Sequence, residues 1–299
     1  MSTVPAESWQ DLESRGGAVD LSRCVKLRLT GPDALRYLNG QVTNDVRRLT
    51  PGHSMPACLC NHKGRLEALV LISMDQTGAY YISADPALRD ILPPRLEKYL
   101  IADNAAVEDV TEAFDLVHVF PPAPGDMTFS ANRCGVPGSD LWLPPGAAAG
   151  LTFTNPATLE TLRIERGIPA WEPEMAAGIL PPEARLDESA IDYHKGCYTG
   201  QEVISRLRSV GQVNRRLERL TVRDGMVEPG WSIVAGNKDG TCTSAGIITS
   251  SARHPVRGEG IALGYVKRSA AGAALLAGPT GAAPAVSVEI RKSLDDEEP

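Results

Sequence analysis

Alternating apolar and polar positions mark the strands in the first two-thirds of the chain. Residues 25–30 (VKLRLT) alternate in this way and predict a β-strand. Two apolar runs, residues 55–60 and 65–73, are joined by the turn Asn61-His62-Lys63-Gly64 and predict a β-hairpin. Further strands are predicted at residues 79–83, 107–109, 116–120 and 140–143.

Helical spacing of apolar residues is confined to short segments. Helices are predicted at residues 34–38, 86–99, 157–165 and 201–207. Pro93-Pro94 must break or restart the second of these, because proline is not tolerated inside a helix. Thr154 or Asn155 caps the third helix, and Gly167 ends it. Residues 168–192 are rich in proline and acid and predict an ordered loop with short helices.

The last third of the chain has a different pattern, with short strands separated by glycine and proline. Strands are predicted at residues 216–222, 232–235, 245–250, 261–266 and 285–290. Short, evenly spaced strands predict a small β-barrel or sandwich. The predicted fold class is therefore α+β, with mixed helices and strands over residues 1–211 and a small β domain, barrel or sandwich, over residues 212–299.

Composition narrows the classes of partner. The 299 residues fit two or three domains. The net charge of −7 argues against a broad nucleic-acid surface, since phosphate binding needs clustered Lys and Arg. One short segment is basic and predicts either a solvated face or a local anion site. Its members are Arg206, Arg208, Arg215, Arg216 and Arg219.

Nothing in the sequence indicates a membrane or an oxidising compartment. No apolar run approaches the roughly 18 residues that span a bilayer. The N-terminus carries Glu7 and Asp11 and lacks the basic start and apolar core of a signal peptide. Six cysteines without a Cys-x-x-Cys pair predict reduced thiols rather than disulfides. We therefore expect a cytoplasmic protein without a membrane partner, and a frayed acidic end at residues 295–298.

Two cysteines and two histidines in the hairpin region raise the question of a metal. Cys58 and Cys60 share one face of a strand, with His53 and His62 nearby, and such a face could bind zinc or copper. The spacing matches no standard zinc pattern, however. Cysteines on a strand face also act as small hydrophobic residues. The sequence therefore favours a plain hairpin, and we expect no metal site.

Cys197 is the strongest candidate for chemistry among the thiols. It lies between Gly196 and Tyr198, two residues after Lys195 and shortly before a predicted helix. A cation and a helix N-terminus can each lower a thiol pKa and favour the thiolate. Glycines on either side allow the backbone to approach a ligand. The alternative is a buried thiol in a tight loop, and both interpretations stay open on chemistry alone.

Carboxylates form a second set of candidates. A pterin presents adjacent N–H donors, which one carboxylate can accept together. The acids in question are Glu165, Glu172, Glu174 and Glu183. Glu165 lies between Arg163 and Gly167, so a helix-end ion pair is an equally simple interpretation. Asp90 is either a general acid or base or a solvated helix residue.

Several of these pieces together resemble one family. The run Lys195-Gly196-Cys197-Tyr198-Thr199-Gly200-Gln201-Glu202 resembles the signature of the YgfZ folate-binding proteins. Residues 31–34 (GPDA) and 41–46 (QVTNDV) are similar to the opening of the wider aminomethyltransferase, or glycine cleavage T-protein (GcvT), superfamily. Gly64-Arg65, Arg163-x-Glu165-x-Gly167 and residues 246–250 and 262–266 extend the likeness to about residues 20–292.

The resemblance implies an α+β region of two subdomains over residues 1–211, a C-terminal β-barrel over residues 212–299, and a tetrahydrofolate cleft framed by the two. It implies that Glu165 reads the folate and that Asp90 stands where the T-protein has its catalytic aspartate. It places the functional thiol, Cys197, among cofactor contacts at Lys195, Gly196, Tyr198, Gly200 and Gln201. The T-protein also has a folate-site arginine just before this position, whereas residues 192–195 are DYHK here. That departure argues against T-protein-like catalysis.

Two functions follow from the resemblance. The first is a tetrahydrofolate-binding factor for the assembly or repair of iron–sulfur proteins, with client or assembly proteins as partners. The alternative is a folate-dependent aminomethyl or one-carbon transferase or demethylase, so whether the chain is an enzyme stays open. A role in tRNA modification is a third possibility, although the net acidity argues against direct binding of nucleic acid.

Overall fold

The computed structural model describes residue 4 and residues 6–209, 211–223, 225–236 and 241–291. The predicted acidic end lies outside the described residues. The α-helices are α1 (Ala6–Arg15), α2 (Ala34–Gln41), α3 (Leu92–Glu97), α4 (Pro156–Arg166) and α5 (Gln201–Ser209). The strands are β1 (Gly17–Asp20), β2 (Val25–Thr30), β3 (Ser54–Cys60), β4 (Leu66–Met74), β5 (Tyr80–Ala84), β6 (Ala106–Asp109), β7 (Asp115–Phe120), β8 (Thr128–Ala131), β9 (Gly138–Leu143), β10 (Arg215–Val222), β11 (Ser232–Gly236), β12 (Cys242–Arg253), β13 (Gly260–Lys267), β14 (Leu275–Gly278) and β15 (Val286–Ile290).

A five-stranded antiparallel sheet, ordered β3-β4-β5-β2-β6, forms the first core. The predicted hairpin is confirmed as β3 and β4, and the Asn61 side chain accepts hydrogen bonds from the backbone N–H groups of Lys63 and Arg65 in its turn. Leu38 of α2 and Leu92 of α3 pack on this sheet, and each is at most 1% exposed. Burying such leucines stabilises the fold by about 2 kcal/mol each.

A four-stranded antiparallel sheet, ordered β1-β7-β9-β8, lies beside the first. A buried ionic network joins the two sheets. Asp140 of β9 accepts hydrogen bonds from Arg133 at 2.8 Å and pairs with His118 Nδ1 of β7 at 2.9 Å. Arg133 also donates to Ser83 of β5 at 2.6 Å. Burial raises the pKa of Asp140, but the charge and hydrogen bonds of Arg133 and His118 lower it by more. The net pKa of this carboxyl therefore lies below its usual value.

Six strands close a barrel in the order β10-β13-β12-β11-β14-β15. This confirms the α+β fold class with a C-terminal barrel and decides between barrel and sandwich. The interior is apolar, with Leu220, Ile233 and Ile248 at most 1% exposed. The sequence pattern missed β14, because alanine and glycine in that segment are weak strand formers. The first barrel strand begins at Arg215, and the predicted domain boundary near residue 211 stays a prediction.

Helix α4 docks the barrel onto the rest of the chain. Asn155 caps its N-terminus by accepting from the backbone N–H of Ala157, and Gly167 ends it at φ +74°. A left-handed residue at this position favours glycine, as predicted. Ile164 is 1% exposed and packs among barrel residues, including Leu217 and Leu263. This contact sets the position of the barrel relative to the candidate site.

The helix predicted at residues 86–99 is split, and its second part restarts at the prolines, as predicted. A 3-10 turn, Pro86–Leu88, precedes α3, and both Pro93 and Pro94 fall within the first turn of α3. Proline is tolerated there because the N–H groups of a first turn have no helical acceptor. The pattern also missed α1, β1 and β8. In the part of the chain that is described, no helix is long and apolar enough to cross a membrane.

Candidate functional site

The motif run forms the loop that leads into α5. Two exposed residues, Gly196 and Cys197, lie between two buried ones, Lys195 and Tyr198. The backbone N–H of Thr199 donates to the carbonyl of Gly40 at 3.2 Å, and the Gln201 side-chain amide donates to the Lys195 carbonyl at 3.4 Å. The loop is therefore tied down on both sides of the exposed thiol.

Lys195 is the main tether of this loop. Its ammonium donates to the backbone carbonyls of Asn39, Val42 and Asn44, each at 2.7 Å. These acceptors belong to the end of α2 and the segment that follows it. Burial lowers the pKa of Lys195 to about 8, so the ammonium is mostly charged at neutral pH. All three N–H donors are thus directed at protein carbonyls rather than at the Cys197 thiol.

Two glycines bring the motif loop against the β3–β4 hairpin. Gly200 has φ +85°, and a Cβ at this position would lie 2.4 Å from the Asn61 carbonyl oxygen. Gly64, at φ +65°, faces it from the hairpin turn. Any larger residue at position 200 would push the two loops apart. Gly64 of the hairpin turn and Gly200 of the motif loop therefore pack against each other. No sequence pattern predicts this contact.

Tyr198 anchors the loop in an apolar cluster that contains the hairpin cysteines. The cluster includes Cys58 and Cys60 of β3, both with 0% exposure. Burial raises the pKa of Cys60 to about 12 and that of Cys58 well above its usual value, so both thiols stay protonated. The Tyr198 hydroxyl is buried without a hydrogen-bond partner among the described residues. Burial raises its pKa as well.

The hairpin cysteines and the nearby histidines form no metal centre in the described residues. His53 is exposed, and its Nδ1 hydrogen bonds with the Thr50 hydroxyl at 3.1 Å. No group of three or more metal-ligating side chains occurs in the part of the chain that is described. The cysteines of β3 belong to the packing of the sheet.

Cys197 and Asp90 are both exposed. Cys197 is held at the surface by the buried residues on either side of it. Asp90 lies in the turn between the 3-10 turn Pro86–Leu88 and α3, and no hydrogen bond or ion pair engages its carboxylate within the described ranges. The two residues belong to different segments, and no contact in the described structure joins them.

Glu165 is engaged by the barrel. Its two carboxylate oxygens pair with Arg257 at 2.8 Å and with Arg291 at 2.7 Å, and the residue is 8% exposed. Burial raises the pKa of Glu165, but the hydrogen bonds and charges of Arg291 and Arg257 lower it more, so the net pKa lies below the usual value.

The other three acids differ in how far they are engaged. Glu174 is 3% exposed and uses both oxygens, accepting from Arg163 at 2.8 Å and from the Ser250 hydroxyl at 2.6 Å. Glu172 is exposed. Glu183 has a side chain 12% exposed and pairs through one oxygen with Arg215 at 2.8 Å. Of the four acids, Glu183 combines burial with an oxygen that has no partner within the described residues.

The structure brings together most of the predicted site residues, but not all. One loop and the first residue of α5 hold six of them: Lys195, Gly196, Cys197, Tyr198 and Gly200 in the loop, and Gln201 at the start of the helix. Glu165 and Asp90 lie on other elements, and their roles toward a ligand stay predictions. Sequence reasoning missed the acceptors of Lys195 at the end of α2. The signal available for them was the motif-like run at residues 41–46, which supplies Val42 and Asn44.

Comparison with known proteins gives one consistent likeness. Residues 1–127 match the family described as the GCVT N-terminal domain. Aminomethyltransferases of Streptomyces coelicolor and Streptomyces avermitilis are 24% and 25% identical over 300 aligned positions, which cover 85% of this chain and 79% of each relative. The glycine cleavage system aminomethyltransferase T from Bartonella henselae superposes with a TM-score of 0.79 at 18% identity, over 96% of this chain and 89% of that one. The last likeness establishes the fold.

Proposed function

We propose that this chain, whose likenesses support the GcvT-like folate-binding superfamily, binds a tetrahydrofolate and serves in the assembly or repair of iron–sulfur proteins. The observation that carries the proposal is the Cys197 thiol, exposed on a loop whose neighbouring side chains are buried and tethered. Clusters usually take four protein ligands, so a single thiol acts transiently on a client or assembly protein. The proposed site of action is the cytoplasm, without membrane or direct nucleic-acid binding.

The folate part of the proposal rests on carboxylates that can accept the paired N–H donors of a pterin. Glu165 holds this role by resemblance, and folate would then compete with Arg257 and Arg291 for its oxygens. Glu183 fits the same chemistry with less rearrangement, because one of its oxygens has no partner in the described structure. Lys195 contributes the shape of the motif loop, since its ammonium is directed at three backbone carbonyls.

A thiol deletion tests the iron–sulfur role. In a strain that lacks its own copy of this protein, Cys197→Ala is expected to leave iron–sulfur enzyme activities as low as the empty vector does. Its folate affinity, measured by calorimetry, is expected to stay within about twofold of wild type, because the thiol is exposed. Cys242→Ala, which removes the other exposed thiol, is the matched control and restores activity fully. Full restoration by Cys197→Ala would overturn the proposed role.

A second candidate is folate-dependent aminomethyl transfer, and the likeness to the two Streptomyces aminomethyltransferases supports it more directly than it supports the iron–sulfur role. In that reaction the S–CH2 bond of an aminomethyl-lipoyl carrier breaks and the carrier thiol takes a proton. The carbon becomes the methylene bridge of the folate, and ammonia leaves. The exposed Asp90 carboxylate would handle the proton on the folate nitrogen, a general acid–base task.

Ammonia release separates the two candidates. Purified protein is incubated with tetrahydrofolate and the aminomethyl-lipoyl carrier as donor, and the ammonia released is measured. The transferase function requires turnover that falls at least about 100-fold in Asp90→Asn, the usual scale for losing a general acid or base. Asp126→Asn, at another exposed position, is the control. No turnover above background in wild type is the result expected for the iron–sulfur role.

A further inference from the structure

A basic cavity lies between α5, the start of β10 and the end of β13. Its volume is about 640 Å³, within the range of small-ligand sites. The side chains that line it include five cations and two carboxylates, although the chain as a whole carries a net charge of −7. The cations are Arg208, Arg215, Arg216, Lys267 and Arg268. Positive charge is therefore concentrated here against the trend of the chain.

Both lining carboxylates are already neutralised. Asp187 pairs with Arg216 at 3.2 Å, and Glu218 pairs with Arg185 at 2.6 Å. By contrast, no carboxylate lies within ion-pair distance of Arg208, Lys267 or Arg268 among the residues that the structure describes. The cavity thus presents three cations whose charge the described part of the protein leaves uncompensated.

Two of the lining arginines are held in place by aromatic rings. The guanidinium of Arg208 lies 4.3 Å from the centre of the Tyr193 ring, and that of Arg215 lies 4.4 Å from the centre of the Tyr265 ring. Stacking fixes the plane of a guanidinium and leaves its N–H edge available for carboxylate or phosphate. The Arg208 donors are therefore preorganised, which reduces the entropy lost on binding an anion.

The cationic lining continues beyond the first cavity. A second cavity of about 660 Å³ adjoins it and shares Arg215, Lys267 and Arg268 with it. A compact anion would reach one or two of these groups, whereas a chain with several negative charges could reach all of them. The first cavity also borders the candidate folate site, since Pro182 and Tyr193 line it next to Glu183 and the motif loop.

We propose that this cavity binds the oligo-γ-glutamate tail of a polyglutamylated tetrahydrofolate, an inference that rests on the proposed folate binding. Each added glutamate brings one carboxylate, the group that arginine pairs with most specifically. Arg208 and Arg268 are the specificity-determining residues for the tail. They bind it without touching the pterin.

Calorimetry with 5-formyltetrahydrofolate carrying either one or five γ-linked glutamates tests the tail site. For wild type, the pentaglutamate is expected to bind about tenfold more tightly at low ionic strength, and the gain to disappear in about 0.5 M salt. Arg208→Gln/Arg268→Gln binds both forms with the wild-type monoglutamate affinity. Arg15→Gln/Arg28→Gln removes the same charge from exposed positions elsewhere and keeps the tenfold preference.

The outcomes distinguish failure of the tail site from failure of the proposed folate binding. If wild type binds both forms equally, or if the Arg208/Arg268 double variant keeps the preference, the tail site is overturned while folate binding stands. If wild type binds neither form, folate binding fails, and the tail site fails with it. Thermal unfolding of each variant checks that the fold is intact, as expected for exposed side chains.

Discussion

Lys195 shows how one residue can be decisive for a motif without taking part in chemistry. A lysine beside a cysteine suggests an electrostatic partner for the thiolate, and the sequence supports that interpretation. The structure instead directs the ammonium at the carbonyls of Asn39, Val42 and Asn44. Backbone carbonyls that turn inward need donors, and a buried lysine supplies three at once. The loop geometry that exposes Cys197 depends on this contact.

Replacing the Lys195 ammonium tests this dependence. Lys195→Met keeps the length of the side chain but leaves three inward carbonyls without a donor, so we expect a loss of about 3 kcal/mol in the free energy of unfolding. Urea denaturation at neutral pH measures it. Lys63→Met, in the exposed hairpin turn, is the control and should change stability by less than about 0.5 kcal/mol. Equal stability of the two variants would contradict the tether.

At the level of elements, α4 shows which features a local sequence pattern predicts and which depend on tertiary contacts. Its cap at Asn155 and its end at Gly167 are local features, so the sequence predicts them well. The partners of Glu165 on the barrel are distant in sequence, 92 and 126 positions away, and no local pattern reveals them. The sequence therefore predicts that Glu165 forms an ion pair, but it does not identify Arg257 and Arg291 as the partners.

The Glu165 ion pairs make the docking of α4 on the barrel pH-dependent. The folded-state pKa of Glu165 lies below its unfolded value, so the stabilisation is present above the ordinary carboxylate range and is lost as pH falls through the folded pKa. At pH 7, Glu165→Gln is expected to lower the free energy of unfolding by about 2 kcal/mol. The difference from wild type should begin to shrink as the pH falls through the ordinary range of a glutamate, about pH 4 to 5, and should approach zero only below the folded-state pKa.

Denaturation of wild type and Glu165→Gln across this pH range measures the effect. Glu160→Gln is the matched control on the same helix, because its pair with Arg163 is half exposed on the glutamate side. It should cost no more than about 0.5 kcal/mol at any pH. A loss for Glu165→Gln that stays the same from pH 7 down to the acid limit of the folded state would show that the charge of Glu165 is not what holds the helix.

For the whole molecule, strand positions were readable from the sequence, but the links between sheets were not. The hairpin of β3 and β4 and most barrel strands follow from alternation and turn residues. The network of Arg133, Asp140 and Ser83 joins strands of two sheets across 50 positions of sequence, and nothing around these residues signals that they are buried together. The candidate site divides in the same way: the motif loop is continuous in sequence, whereas its supports on α2 and the hairpin come from the fold.

The contrast among the cysteines has a practical consequence for following ligand binding. All six cysteines lie in the described part of the chain, and three of them are buried there. Cys134 is partly buried, and burial raises its pKa to about 11, which suppresses alkylation at neutral pH. In a Cys242→Ser background, a maleimide fluorophore would therefore attach almost exclusively at Cys197. The motif loop thus offers a single addressable position from which arrival of a folate or a client protein can be read optically in real time.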